Sequence, residues 1–270
     1  MPLDTTGHVL AVGAHPDDVE IMCSGTLFLL AGEGLEIHVA TLTLGDCGTA
    51  DRGPDEIRAI RRREAEEACA VLGAAYHALG FSDFQIYDDD EANRRVTALL
   101  REVRPRLVLT HSPQDYLADH ETTSRLVRNA CFYAPVPNYD TRAYSGVARS
   151  PAVPHLYYAH PMEGVDLFGD PIRPHLYVDI GSRVESKAEM LAKHASQREW
   201  LRAHHGIDEY VESMRRWGAE LGEAASRAAG RPVASAEAFR QHRGHAYPRE
   251  DALGALLGAA AIPAGGRGEQ

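Results

Sequence analysis

A short apolar run, Val9 to Val12, leads into the segment A-H-P-D-D-V-E (Ala14 to Glu20), and a helical pattern of Val19, Met22, Cys23, Thr26, Leu27 and Leu30 follows. That order puts His15, Asp17 and Asp18 in the turn where a buried strand hands over to a helix. In open α/β sheets such a turn lies at the carboxyl end of a strand, where ligands bind. Three ionisable side chains within four residues crowd charge together and call for a counter-charge. Helix N-terminal amides supply part of it, and a divalent metal would supply the rest. An imidazole and a carboxylate three residues apart, His15 and Asp18, suit chelation of one ion and leave Asp17 free. The plainer alternative is that Asp17 or Asp18 caps the helix, with Pro16 at home beside its start.

Strand and helix patterns alternate through the first two-thirds of the chain. After a strand at 8–14 and a helix at 19–31 come a strand over Glu36 to Leu44 and a glycine-containing loop to Pro54. A long helix to about Leu72 and a short strand from Tyr76 to Leu79 follow. Helices are expected over Asp88 to Arg101 and Asp119 to Cys131, with a buried strand from Arg106 to Thr110 between them. Short strands are expected at His155 to Ala159 and Leu176 to Ile180, and helices at Ser182 to Ala195 and Ile207 to Ala228. The fold class is α/β: a Rossmann-like, mostly parallel sheet flanked by helices, with a helical C-terminal part. One domain is expected over 1–260, with the sheet core to about 180, the helical part over about 181–250, and a flexible tail at 261–270.

The segment T-H-S-P-Q-D-Y-L-A-D-H (Thr110 to His120) repeats the logic of the first turn: an apolar strand, then His and Asp in a loop, then a helix. In a parallel sheet both loops emerge at the same edge, so His120 can reach His15 and Asp18. Two histidines and one carboxylate, with a fourth position open, form a known catalytic zinc set. Nitrogen and oxygen donors without thiolate also suit Fe2+ or Mn2+.

These residues carry a resemblance. A-H-P-D-D-V-E after the first strand, with D-H about a hundred residues later, resembles the LmbE/PIG-L family of metal-dependent deacetylases of N-acetylglucosaminyl substrates and related N-acyl groups. The resemblance runs from about Val9 to Ser124. It continues more loosely through G-D-C-G-T, K-x-x-M-L-x-x-H-A-S-Q and G-H-A-Y-P to about residue 248. It implies His15, Asp18 and His120 as zinc ligands and Asp17 as the general base for attack of zinc-activated water on an amide. Glu20 either braces a ligand or favours the helix N-terminus.

One position departs from the family pattern. Many members read H-P-D-H where this chain reads L-A-D-H, so Leu117 stands in place of a proposed acid or oxyanion donor. Asp119 then orients a ligand instead, and a substitute donor is sought among His111, His160, His194 and His245. Without one, the rate should fall by roughly 10²–10³. Arg58 resembles a family position that holds sugar hydroxyls or an acidic group, against the alternative of a surface ion pair. Tyr133, Tyr139 and Tyr144, in an irregular Pro/Tyr loop running to Pro154, either stack on a sugar or pack between subunits.

Composition narrows the classes. A formal net charge of -11 argues against a general nucleic-acid binder. No apolar run approaches the ~20 residues that cross a bilayer, and the N-terminus has no basic leader with an apolar core, so a cytoplasmic protein is expected. The four cysteines, Cys23, Cys47, Cys69 and Cys131, form no C-x-x-C pair and read as small buried filler. A homo-oligomer is expected, because the Pro/Tyr loop would otherwise expose apolar surface. The function expected is an N-deacetylase releasing acetate from an N-acetylated amino sugar or its conjugate. Alternatives are an amidase of a thiol conjugate, a deacylase of a glycosylated natural product, or a catalytically silent binding module. A dinucleotide-binding domain is disfavoured because the first turn lacks G-x-G-x-x-G and carries carboxylates where a pyrophosphate would sit.

Overall fold

A computed structural model of the chain describes residues 7–199 and 209–265. Its eight-stranded sheet has the order β3-β2-β1-β4-β5-β7-β6-β8. The strands are β1 (His8–Gly13), β2 (Glu36–Thr43), β3 (Ala75–Phe81), β4 (Leu107–Thr110), β5 (His155–Ala159), β6 (Leu176–Asp179), β7 (Ala236–Gln241) and β8 (Ala261–Pro263). The first five run parallel. Strand β7 is antiparallel to both β5 and β6, and β8 is antiparallel to β6.

The helices are α1 (Asp18–Gly32), α2 (Pro54–Leu72), α3 (Asp90–Val103), α4 (Ala118–Tyr133), α5 (Val184–Ala192), α6 (Glu209–Ala229) and α7 (Ala252–Leu257). They cover both faces of the sheet, which explains why β1 and β4 are apolar on both faces over residues 9–12 and 107–109. Side chains alternate across a strand: Val9 and Ala11 join a core with Leu27, Leu30, Ala68 and Met190 from α1, α2 and α5, while Leu10 and Val12 join one with Val96, Leu100, Leu126 and Val127 from α3 and α4. Register pairs Val12 of β1 with Thr110 of β4. The turns leaving both strands therefore emerge side by side at one edge.

The C-terminal third departs from the sequence reading. The stretch read as helical to 250 contains β7, and 261–263 form β8 rather than part of a tail. In the β7 sequence, A-E-A-F-R-Q, four of six residues are alanine or charged and have weak strand preference; its place between β5 and β6 is set by tertiary pairing. The Pro/Tyr loop lies against α3. Buried Arg101 donates to the carbonyls of Ala134 (3.1 Å) and Val136 (2.9 Å) and to the Thr141 hydroxyl (2.9 Å). Cys23, Cys69 and Cys131 are buried as expected, whereas Cys47 is exposed in the loop after β2. Among the described residues no helix is long and apolar enough to cross a membrane.

Candidate metal centre

The first turn folds tightly on itself. The His15 amide donates to Asp18 Oδ2 at 2.7 Å, and the Asp18 amide donates back to the His15 carbonyl at 3.3 Å. Gly13 permits this, since a Cβ there would lie 2.8 Å from Asp18 Cβ. Asp17 occupies the N-cap of α1 with φ at +103°, and its side chain makes no capping bond. Its Oδ2 instead accepts from Tyr210 Oη at 2.5 Å and from Arg61 Nη2 at 3.2 Å, and Arg61 also holds the Pro16 carbonyl at 2.6 Å.

The loop after β4 brings the second set. One nitrogen or oxygen from each of His15, Asp18 and His120 falls within 4.8 Å of the others. His15 Nδ1 lies 3.4 Å from Asp18 Oδ2, and His120 Nε2 lies 3.4 Å from Asp18 Oδ1. The other nitrogen of each ring is held by a carboxylate: His15 Nε2 by Asp119 Oδ2 at 3.1 Å, His120 Nδ1 by Asp115 Oδ1 at 2.9 Å. Metal-ligating histidines are oriented by such outer carboxylates, so the donor set fits a divalent ion in both its inner and its outer contacts. Asp119 is itself fixed by the Phe84 amide at 2.8 Å. His111 stacks on His120 with ring centroids 4.0 Å apart, and its Nε2 takes the Ala14 amide at 3.0 Å and lies 3.0 Å from Asp18 Oδ2.

The adjacent carboxylates are pushed in opposite directions. Burial raises the pKa of Asp17, and the Arg61 charge offsets this only in part. Burial would also raise Asp18, but the charges of His120 and His111 outweigh it and hold Asp18 well below the usual range. Burial opposes protonation of the two imidazoles, yet the carboxylates around them prevail: His15 is raised to about 9 by Asp119 and Asp18, and His120 to about 10 by Asp18 and Asp115.

Other expected residues fall at or away from this centre. Arg58 is committed to Asp46 and to the Ser82 hydroxyl (2.9 Å), so its guanidinium serves an ion pair rather than standing free for a ligand. His194 is fully buried and pairs through Nε2 with Glu20 Oε1 at 3.0 Å, which makes it a support beneath α1. His245 is exposed in the loop after β7 and lies away from the centre. Tyr133 and Tyr139 pack on each other at 4.9 Å, and Arg94 and Arg95 sit over Tyr139 and Tyr144; these tyrosines belong to the α3 surface. A cavity of about 750 Å3 lies over His15, Asp17, Asp18 and His120, with Arg61 and Phe84 in its wall.

Sequence reasoning missed Arg61, Tyr210, Asp115 and Asp83. Arg61 had a signal: it lies on the apolar stripe of α2 with Ile57, Ala65 and Ala68, and it is buried there while Arg62 is exposed. Asp115 is five residues before His120 in the segment already singled out. Tyr210 carried no local signal. Asp83 takes the Cys47 amide at 2.9 Å on Oδ2, while its buried Oδ1 has no hydrogen-bond partner among the described residues and stands 4.0 Å from His15 Nε2.

Known proteins bear on this geometry. Residues 10–131 match the PIG-L family, described as GlcNAc-PI de-N-acetylase. A diacetylchitobiose deacetylase of Thermococcus kodakarensis is 29% identical over 204 residues, covering 73% of this chain and 72% of that protein. A 4-oxalmesaconate hydratase of Pseudomonas putida is 27% identical over 186 residues, covering 66% of this chain and 69% of that protein. Among solved structures, GalB, the 4-carboxy-2-hydroxymuconate hydratase of Pseudomonas putida KT2440, superposes with a TM-score of 0.74 at 24% identity. It covers 91% of this chain and 100% of its own, a likeness of fold.

Proposed function

We propose, from the premise that residues 10–131 form a PIG-L (LmbE-like) family domain, that this chain is a metal-dependent N-deacetylase of an N-acetylated amino sugar or its conjugate. The observation that carries the reading is the split between neighbours. Asp18 is held ionised among imidazoles, while Asp17, one residue away, makes no helix cap and has a raised pKa. Neighbouring carboxylates driven apart in this way suit separate roles, Asp18 as an anionic donor to an ion and Asp17 as a proton acceptor.

His15, Asp18 and His120 would hold the ion, zinc first among divalent ions that accept nitrogen and oxygen donors. When bound, such an ion supplies Lewis acidity toward the amide carbonyl and makes water more acidic. Asp17 takes a proton from the attacking water. Its Oδ2 is engaged by Tyr210 and Arg61, which leaves Oδ1 to receive that proton and return it to the leaving amine. Asp115 and Asp119 keep the two rings in the orientation that presents His120 Nε2 and His15 Nδ1 to Asp18.

Leu117 gives a second reading its footing. It places an apolar side chain where family members carry a proposed acid, and addition of water to a carbon–carbon double bond, the chemistry named for the hydratase relative, expels no amine. The test is metal content alongside free-amine release from N-acetylglucosamine conjugates, with and without chelator. About one metal per chain and chelator-sensitive amine release support the deacetylase. Metal with no amine release, but with hydration of an unsaturated oxo-acid, replaces it with the second reading.

A further inference from the structure

Two cavities meet at the candidate ligands, with Asp18 and His120 in the wall of both. The larger, described above, carries Asp17, Arg61 and Asp83. The smaller, about 200 Å3, carries Ile21, Met22, Met162, Met214, Trp217 and Leu221 in its lining, alongside polar groups from the β4–α4 loop and from β5 onward. The charged pair in its wall is already satisfied. Lys187 Nζ donates to Glu237 Oε1 at 2.5 Å and to the Ile21 carbonyl at 2.7 Å, and Glu237 accepts the Gly25 and Thr26 amides at 2.9 and 2.7 Å. A satisfied buried pair demands no polar ligand. His160, also in the wall, is kept neutral by burial. The other charges beyond the β4–α4 loop are Glu163 and Glu220, both exposed.

We propose that this smaller cavity is an acyl pocket, and that the preferred substrates are N-acyl amino sugars whose acyl group is an uncharged chain of roughly four to six carbons. The inference rests on the amide-hydrolase reading and gives it a substrate class. A substrate amide at the ligands would lay its sugar in the larger cavity, beside Asp17, Arg61 and Asp83, and its acyl tail in the smaller, beside Met22, Met214 and Leu221. An acetyl methyl fills little of about 200 Å3, whereas an apolar cavity of about 150 Å3 accepts a six-carbon ring. Each methylene withdrawn from water gains about fourfold in binding until the pocket is full. Three methionines in the wall let the pocket close on a flexible chain. Glu163 and Glu220 repel an acyl group that ends in a carboxylate.

The test uses the zinc-loaded full chain and a series of glucosamines acylated with acetyl, butyryl, hexanoyl, decanoyl and succinyl groups, read by free amine. The expected kcat/KM rises at least about tenfold from acetyl to hexanoyl, falls at decanoyl, and is at least about tenfold lower for succinyl than for butyryl. Leu221→Trp should cut the hexanoyl-to-acetyl ratio by about tenfold or more, and Met22→Ala should move the optimum to longer chains. An optimum at acetyl, or ratios that neither variant moves, overturns the proposal. Should no N-acyl glucosamine release amine, the hydrolase reading fails and the pocket is judged by binding alone. Calorimetric affinity for acyl hydroxamates then either tightens from acetyl to hexanoyl, which keeps the pocket, or is flat with chain length, which removes it.

Discussion

The β1–α1 turn and the β4–α4 loop face each other across the Asp18 carboxylate, and they contribute unequally. The first is short and contorted, and it holds the candidate base, the carboxylate ligand and one imidazole within four residues. The second is longer and relaxed. It gives one candidate ligand imidazole, His120, with His111 stacked beside it, and it also gives both carboxylates that hold the rings, Asp115 for His120 and Asp119 for His15. The first turn concentrates the candidate reactive groups; the second sets orientation, including that of a ring belonging to the first.

That division can be broken experimentally. Asp17→Asn should lose about 10²–10⁴ in turnover while metal content stays near that of the parent; metal loss instead would mean that base and ligand are exchanged. His120→Ala should strip the ion from the purified protein, as measured by elemental analysis, and unchanged stoichiometry would remove His120 from the centre. Asp115→Asn and Asp119→Asn should each weaken metal affinity about 10–100-fold by competition with a chelating dye. Equal retention of affinity in both would deny the second loop its orienting role.

The smallest effect belongs to His160, which lies in neither turn. Burial lowers its pKa to about 4, so between its unfolded value near 6.5 and about 4 the unfolded chain binds a proton that the folded one refuses. Stability therefore falls as pH drops through that window. His15 and His120, raised in the folded state, add a slope of opposite sign near pH 6.5, and because parent and variant share them it cancels in the comparison. Thermal melts of His160→Gln should show a shallower decline from pH 6.5 to 4 than the parent, and parallel curves would refute the assignment.

How legible the centre was depended on how local its contacts are. The runs of β1 and β4 announce strands covered on both faces, and a shared edge follows from parallel pairing, so the meeting of His15, Asp18 and His120 could be read from sequence. Tyr210 could not, because nothing near it in the chain reveals that its hydroxyl ends on a carboxylate 193 residues earlier. Arg58 and Arg61 show the intermediate case. Both sit early in α2 as one of several arginines, and only position relative to the apolar stripe distinguishes the half-buried ion-pairer from the buried one that reaches Asp17. Strand β7 was hidden for the opposite reason: apart from Phe239 its residues have little strand preference, and two neighbours impose one.

The +103° φ at Asp17 has an evolutionary side. A non-glycine residue held there costs about 1–3 kcal/mol, and glycine would relieve most of it. A lineage selected only for heat resistance has an easy route at this codon: Asp17→Gly, a firmer scaffold and no base. On the proposed function, the strain at Asp17 is the cost of placing a base at this turn, and glycine would remove both together.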